Sequence, residues 1–178
     1  HKKRSIRELI EREELFGLLS TKKYLSQNIM QLKRESMALF LNRLFSCDGS
    51  IYKMVKGKKE MWQISYASSS EKMIRQVQHL LLRFEILAKL RKKRIKLNSK
   101  EFIAFELVIN GDNVIKFIDN VGFFGKKEEK QVKAKEEIDI KKFNPNVDTV
   151  PREIWQMYKP KNWAEIGRQL GYKYPKAM

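Results

Sequence analysis

Apolar residues recur at helical spacing in four places along this chain and alternate at strand spacing in four others. Ile6, Leu9, Ile10 and Leu15 predict a short amphipathic helix over residues 6–16 that ends at Gly17. Residues 18–31 show no clear period. Met37, Leu41, Leu44 and Phe45 predict a second helix, capped by Ser36 and running to Asp48, where Gly49 stops it. Two strands follow, Ile51–Val55 and Met61–Ala67, joined by a turn at Lys56-Gly57-Lys58-Lys59. In the second strand Trp62, Ile64 and Tyr66 alternate against Met61, Gln63 and Ser65. The cluster Ser68-Ser69-Ser70-Glu71 caps a third helix, with Met73, Ile74, Val77, Leu80, Leu81 and Phe84 on its buried face. A basic strand is predicted over Ile86–Leu97, a turn at Asn98-Ser99-Lys100, and an apolar strand over Phe102–Ile109. Asn110 or Asp112 caps a last helix carrying Val114, Phe117, Ile118 and Val121.

The order from Met37 to Val121 is therefore α-β-β-α-β-β-α, an α+β class. Two hairpins with helices on one face of their sheet leave the other face open, and that face is rich in Lys, Arg, Gln, Ser and Tyr. Around this unit, taken as residues 36–125, lie three other stretches. Residues 126–142 begin with the charge run KKEEKQVKAKEE and read as a solvated helix or linker. Residues 143–178 are punctuated by Pro145, Pro151 and Pro160, are anchored by Trp155 and Trp163, and read as a helical extension. Within it, Trp163 to Tyr172 resembles the first helix and turn of a helix-turn-helix, with Gly171 at the turn. Residues 1–35 contain a faint repeat: Ile6, Leu9, Ile10, Leu15, Phe16 and Gly17 line up with Val114, Phe117, Ile118, Phe123, Phe124 and Gly125 at a constant offset, 124 − 16 = 108. The N-terminus then reads as the closing helix of an earlier copy.

Charge narrows the class of partner. Lys and Arg number 38 against 21 Asp and Glu, a formal net charge of +17 in 178 residues. Such an excess is an electrostatic footprint for a polyanion. No apolar run approaches the ~18 residues that would span a bilayer, so no membrane partner is expected. One cysteine, Cys47, excludes an internal disulfide and fits a reducing compartment, the cytoplasm or a plastid stroma or nucleoid. Two histidines and one cysteine do not make a zinc site. The chain begins at His1 rather than Met and reads as a piece of something longer.

The run LNRLFSCDG, set in this element order, resembles the LAGLIDADG homing endonucleases: Leu41, Leu44, Phe45, Asp48 and Gly49 match the apolar and Asp-Gly positions. The segments ALFLNRLFSCDG, YASSSEKMIRQVQHLLLRFEILAKLRK, GFFGKKEE, VDTVPREIW and WAEIGRQLGY look like the endonuclease insert of inteins in replicative DNA helicases, and LFGLLSTKKYLSQNI resembles the junction between its two halves. The resemblance implies a curved antiparallel sheet laid in the DNA major groove. It implies two halves meeting along their motif helices, and one acid per motif binding a divalent metal, usually Mg2+. Here Asp48 and Gly49 mark the metal position. Leu41, Asn42, Leu44 and Phe45 belong to the helix expected to meet the missing first repeat or a second copy of the chain. There are departures. Arg43 stands where the family often has a small glycine, Ser46 replaces a noncatalytic aspartate, and the first motif is absent. Self-splicing is not implied, because the chain lacks an N-terminal nucleophile and a terminal His-Asn pair.

The chemistry agrees with that expectation. Mg2+ prefers carboxylate, water and phosphate oxygens, and it neutralises charge on a reacting phosphate. An Asp at a helix C-terminus opposes the macrodipole, so its placement asks for a reason. A cation near the scissile phosphate would stabilise the transition state; Lys89 and Arg91 are the candidates, with Lys89 the catalytic choice. Base contacts are expected from Tyr52, Lys53, Gln63, Ser65, Arg91 and Lys93, with Lys56, Lys58 and Lys59 on a hairpin tip reaching the backbone of double-stranded DNA. Two readings stand: a half of a Mg2+-dependent nuclease, or a DNA-binding remnant or regulator without cleavage. An RNA-splicing maturase shares the fold.

Overall fold

The computed structural model describes residues 6–57, 59–97 and 100–138. The stretch 143–178, with its helix-turn-helix expectation, lies outside them. Helix α1 spans Ile6–Arg12, α2 Gln27–Met30, α3 Arg34–Asp48, α4 Glu71–Leu82, α5 Asp112–Asn120 and α6 Glu128–Glu137. Strands β1 (Gly49–Lys56), β2 (Lys59–Ser68), β3 (Lys89–Leu97) and β4 (Lys100–Asn110) form one antiparallel sheet in the order β1-β2-β4-β3. From α3 to α5 the order is the α-β-β-α-β-β-α of the sequence pattern. Among the described residues no helix is long and apolar enough to cross a membrane.

The helices cover one face of the sheet. Trp62, Ile64 and Tyr66 of β2, Ile51 of β1, and Phe105, Leu107 and Ile109 of β4 are buried there. They meet Met37, Leu41 and Phe45 of α3, Ile74, Val77, Leu80 and Leu81 of α4, and Val114 and Phe117 of α5 in one core. These helical positions sit at intervals of three and four, a one-sided stripe. Phe45 is the hub: its ring lies 5.3 Å from Tyr66 and 4.8 Å from Phe117, which in turn lies 5.3 Å from Phe123. Offset and tilted rings at these separations favour edge contacts over sandwiches.

Several element ends differ from expectation for identifiable reasons. Helix α3 starts at Arg34, because extended Lys33 already offers its carbonyl to the Met37 N–H at 2.9 Å; Ser36 falls inside the first turn and does not cap it. Strand β3 begins at Lys89, not Ile86. The chain first turns a corner with Glu85 at φ +58 and the Ile86 N–H on the Leu81 carbonyl, and Asn113 Oδ1 accepts from the Leu87 N–H at 2.8 Å. Helix α5 is capped by Gly111 at φ +65, which neither Asn110 nor Asp112 replaces. The charge run after Lys126 is a docked helix rather than a free linker. Ala134 is buried, Gln131 Oε1 accepts from the Phe123 N–H, and Lys135 pairs with Asp119. The segment before α3 is also tied down, with the Gln76 amide bonding both the N–H and the carbonyl of Leu25.

Where α3 becomes β1 the chain passes close against the end of its own helix. A Cβ on Gly49 would stand 2.7 Å from the Phe45 carbonyl oxygen and 2.9 Å from its ring Cδ1. Backbone cannot yield there without moving the hub of the core. Gly49→Ala is therefore expected to destabilise the protein by about 1–3 kcal/mol, the range for an overpacked site. Denaturant titration reads this, and an unchanged midpoint contradicts it.

Candidate nucleic-acid interface and acidic corner

Because strand residues alternate, burying Ile51, Ile64 and Leu107 sends their neighbours to the opposite face. Register then assembles that face row by row. Ser50, Ser65, Val108 and Lys89 stand in one row, and Tyr52, Gln63 and Asn110 in the next toward the β1–β2 turn. In the other direction come Ala67, Glu106 and Arg91, followed by Ala104 and Lys93, then Phe102 and Ile95. Lys89, Arg91 and Lys93 are exposed. Gln63 and Ser65 sit on this face but are only 2% and 8% exposed, packed among their neighbours. Gln63 Nε2 donates to the Tyr52 hydroxyl, while Gln63 Oε1 and Asn110 Oδ1, directly across the strands from each other, have no partner. Lys56 and Lys59 pair at the end of the β1–β2 hairpin, and Lys58 lies outside the described residues.

Lys53 does not belong to this face. It is registered with Trp62 on the helix side, where its Nζ pairs with Glu60 at 2.6 Å and Glu137 at 3.0 Å. Those bonds to Glu60 and Glu137 raise the Lys53 pKa, and Glu137 is lowered by Lys53 and by the Trp62 indole N–H. Tyr52 and Lys53 are consecutive, so period two forbids both from facing one groove. Lys53 serves instead to tie α6 to the sheet.

Asp48 is the last residue of α3 and is exposed. Gly49 is buried; its N–H donates to the Phe45 carbonyl, and it opens β1 opposite Tyr66. Between them, Asp48 offers the free carboxylate and Gly49 the close turn. The last turn of α3 is capped by a residue the sequence reading passed over. Lys127 Nζ donates to the carbonyls of Phe45 at 3.1 Å and Ser46 at 2.6 Å. An ammonium there offsets the negative end of the helix dipole beside which Asp48 sits. Ser46 joins the same brace, donating to the Asn42 carbonyl and accepting from the Phe124 N–H at 2.7 Å. The GFFGKKEE run contained the signal, since its lysines follow the aromatic-glycine corner that packs on α3. Lys89 is elsewhere: two strands lie between it and Ser50 in its row, three strand spacings or about 14 Å. A lysine side chain does not cover that distance to Asp48.

The expected pairing face of α3 also shifts. Leu41 and Phe45 are 0% exposed inside their own core, so neither can touch another repeat. Asn42 turns inward too, its Nδ2 donating to the Val121 carbonyl at 2.9 Å. Leu44 is half-buried and borders the face left uncovered, which carries Ser36, Leu39, Phe40, Arg43 and Cys47. Leu39 is 55% exposed, and the Arg43 guanidinium lies 4.3 Å over the exposed Phe124 ring.

Residues 35–122 match the family model of the LAGLIDADG-like domain. The chain carries a LAGLIDADG-like domain. Its similarity to known proteins extends beyond those residues. The chain is 32% identical over 160 residues to the replicative DNA helicase DnaB of Synechocystis sp., covering 89% of this chain and 18% of that protein. It is 30% identical over 143 residues to the DnaB of Rhodothermus marinus, covering 79% and 15%. It is 35% identical over 144 residues to the replication factor C small subunit of Methanocaldococcus jannaschii, covering 80% and 7%. The chain thus spans less than a fifth of the length of the curated relatives it matches. LAGLIDADG domains bind DNA, often pair as repeats or dimers, and generally use a divalent metal. Among the described residues no group of three or more His, Cys, Asp or Glu could hold a metal. One exposed carboxylate nevertheless fits Mg2+, which keeps several waters and takes one or two carboxylates plus substrate phosphate.

The Asp48 corner has a pH signature. Burial, and secondarily the Asp48 charge, push the Tyr66 phenol up to about 12. The unfolded chain releases that proton near about 10. The fold therefore holds the proton, and this contribution to stability is whole below about pH 10 and is lost as pH rises toward about 12. Tyr66→Phe is expected to flatten that alkaline decline. Denaturant midpoints at about pH 9 and about pH 11 check it, and an equal decline in both proteins contradicts it.

Proposed function

We propose that this chain binds double-stranded DNA on the open face of its sheet and contributes one acid, Asp48, to a two-acid, divalent-metal site that cleaves phosphodiester bonds. It is then the second half of a LAGLIDADG homing endonuclease carried in an intein. The observation that carries the reading is the free Asp48 carboxylate at the end of α3, at the edge of a sheet face bearing Lys89, Arg91 and Lys93. An insert also explains why one segment of this size is shared with two helicases and a replication factor subunit while covering little of each. The second acid comes from a first repeat or a second copy, met along the Leu39–Phe40–Arg43–Leu44 side of α3. The two aromatic-glycine corners support a duplicated ancestry. Gly17 and Gly125, 108 apart, have φ +74 and +73, and the preceding Phe16 and Phe124 are 56% and 59% exposed, each under an arginine.

Asp48 and its partner acid would hold Mg2+, which would supply charge neutralisation and an activated water. The chain's own part is to hold the carboxylate at a fixed corner and the duplex on the basic face. Lys127, rather than Lys89, is the cation bonded to the last turn of the helix that ends in the acid. The second reading, binding without cleavage, is favoured by the lack, among the described residues, of a group of three or more His, Cys, Asp or Glu that could hold a metal.

The test uses the full chain with duplex and plasmid DNA. Binding should weaken steeply with salt, and Arg91→Ala should lower the slope of log affinity on log salt by about one. Asp48→Asn should leave binding intact and remove Mg2+-dependent nicking. Salt-sensitive binding with no Mg2+-dependent nicking in the unaltered chain, whether or not a partner half is supplied, favours the second reading. Binding indifferent to salt overturns both.

A further inference from the structure

The open face carries one carboxylate among its described strand residues, Glu106 of β4, in a row between Arg91 and Ala67. Its Oε2 lies 2.7 Å from Lys93 Nζ, with side-chain exposures of 12% for Glu106 and 49% for Lys93. A surface that only grips phosphates gains nothing from a carboxylate at its centre, since it repels the backbone. A carboxylate held in the groove does something else: it accepts from the amino groups that base edges present. Lys93 engages one of its roughly four lone-pair sites and keeps two of its own three donors. The pair thus presents an acceptor and a donor side by side, with small Ala67 as the strand neighbour of Glu106 on the side away from Arg91. In the major groove a C·G pair offers the complement, an N4 amino donor beside O6 and N7 acceptors.

Resting on the reading of this face as the duplex-binding surface, we propose that the Lys93–Glu106 ion pair is a specificity element for one C·G base pair. Glu106 accepts from cytosine N4, and Lys93 donates to guanine O6 or N7. The competing role, relief of repulsion among Lys89, Arg91 and Lys93, makes the opposite forecast: removing the charge tightens binding to every sequence alike.

The full chain is equilibrated with a duplex pool randomised across the binding site, and the retained fraction is sequenced. The unaltered chain should show one position with about a tenfold preference for C·G. Glu106→Gln should move that one position toward A·T, because an amide matches the N6 donor and N7 acceptor of adenine. Lys93→Ala should erase the preference there and spare the rest, which keeps the proposal testable if Glu106→Gln folds poorly. A Glu106→Gln profile unchanged at every position, with uniformly tighter binding, overturns the proposal and leaves the interface standing. No retention by the unaltered chain, or retention indifferent to Arg91→Ala and Lys89→Ala, overturns the interface and the proposal together.

Discussion

Everything in this unit follows from the covering of one sheet face by α3, α4 and α5. The cover closes on Phe45, whose ring touches both Tyr66 and Phe117 and whose carbonyl sits against Gly49. Burying that side of β1, β2 and β4 fixes the parity of every strand residue, since a one-residue slip would turn the whole apolar set to water. The opposite face is thereby assigned without any further interaction. Its Lys, Arg, Tyr and Gln side chains are there because strand parity leaves them no place in the core, and Phe102 and Ile95 share that face at its far end.

The same junction places the acid. Helix α3 packs by Met37, Leu41 and Phe45 and runs out of core at Asp48, so the chain turns at Gly49 and leaves the carboxylate in water. An acid at a helix C-terminus is unfavourable by the dipole alone. Lys127 and Ser46 brace that turn from the aromatic-glycine corner, which ties the position of Asp48 to residues nearly eighty positions later. Stability and chemistry thus share the final turn of α3. Its remaining surface exposes Leu39 beside Ser36, Arg43 and Cys47, with Phe40 and Leu44 half-buried at its border.

Much of this was legible in the sequence, and what was not has physical reasons. Period and turn chemistry were enough for the element order and for Asp48-Gly49 as a helix-to-strand corner, because the apolar stripe in 37–45 and the alternation in 61–67 are strong. The wet face was harder. Both Tyr52 and Lys53 are polar enough for water, and β1 alone does not choose between them. The choice becomes visible only when Trp62, Ile64 and Tyr66 are paired across to odd-numbered β1 residues. The motif points Leu41 and Phe45 toward a partner helix, because apolarity alone does not say which residue serves the chain's own core. Lys89 looked catalytic by charge and strand position, but reach depends on strand order, and β3 lies at the far edge from β1. Lys127 was hidden in a charge run, where only tertiary contact separates a cap from a solvated lysine.

The most direct test of the account is photocrosslinking from two neighbouring positions, with a benzophenone amino acid placed at residue 52 or at residue 53 in the full chain bound to duplex DNA. The two side chains share a strand and differ only in the face they occupy. The account predicts crosslinks to DNA from 52 and none from 53. Crosslinks from 53 alone, or equal yields from both, would contradict it.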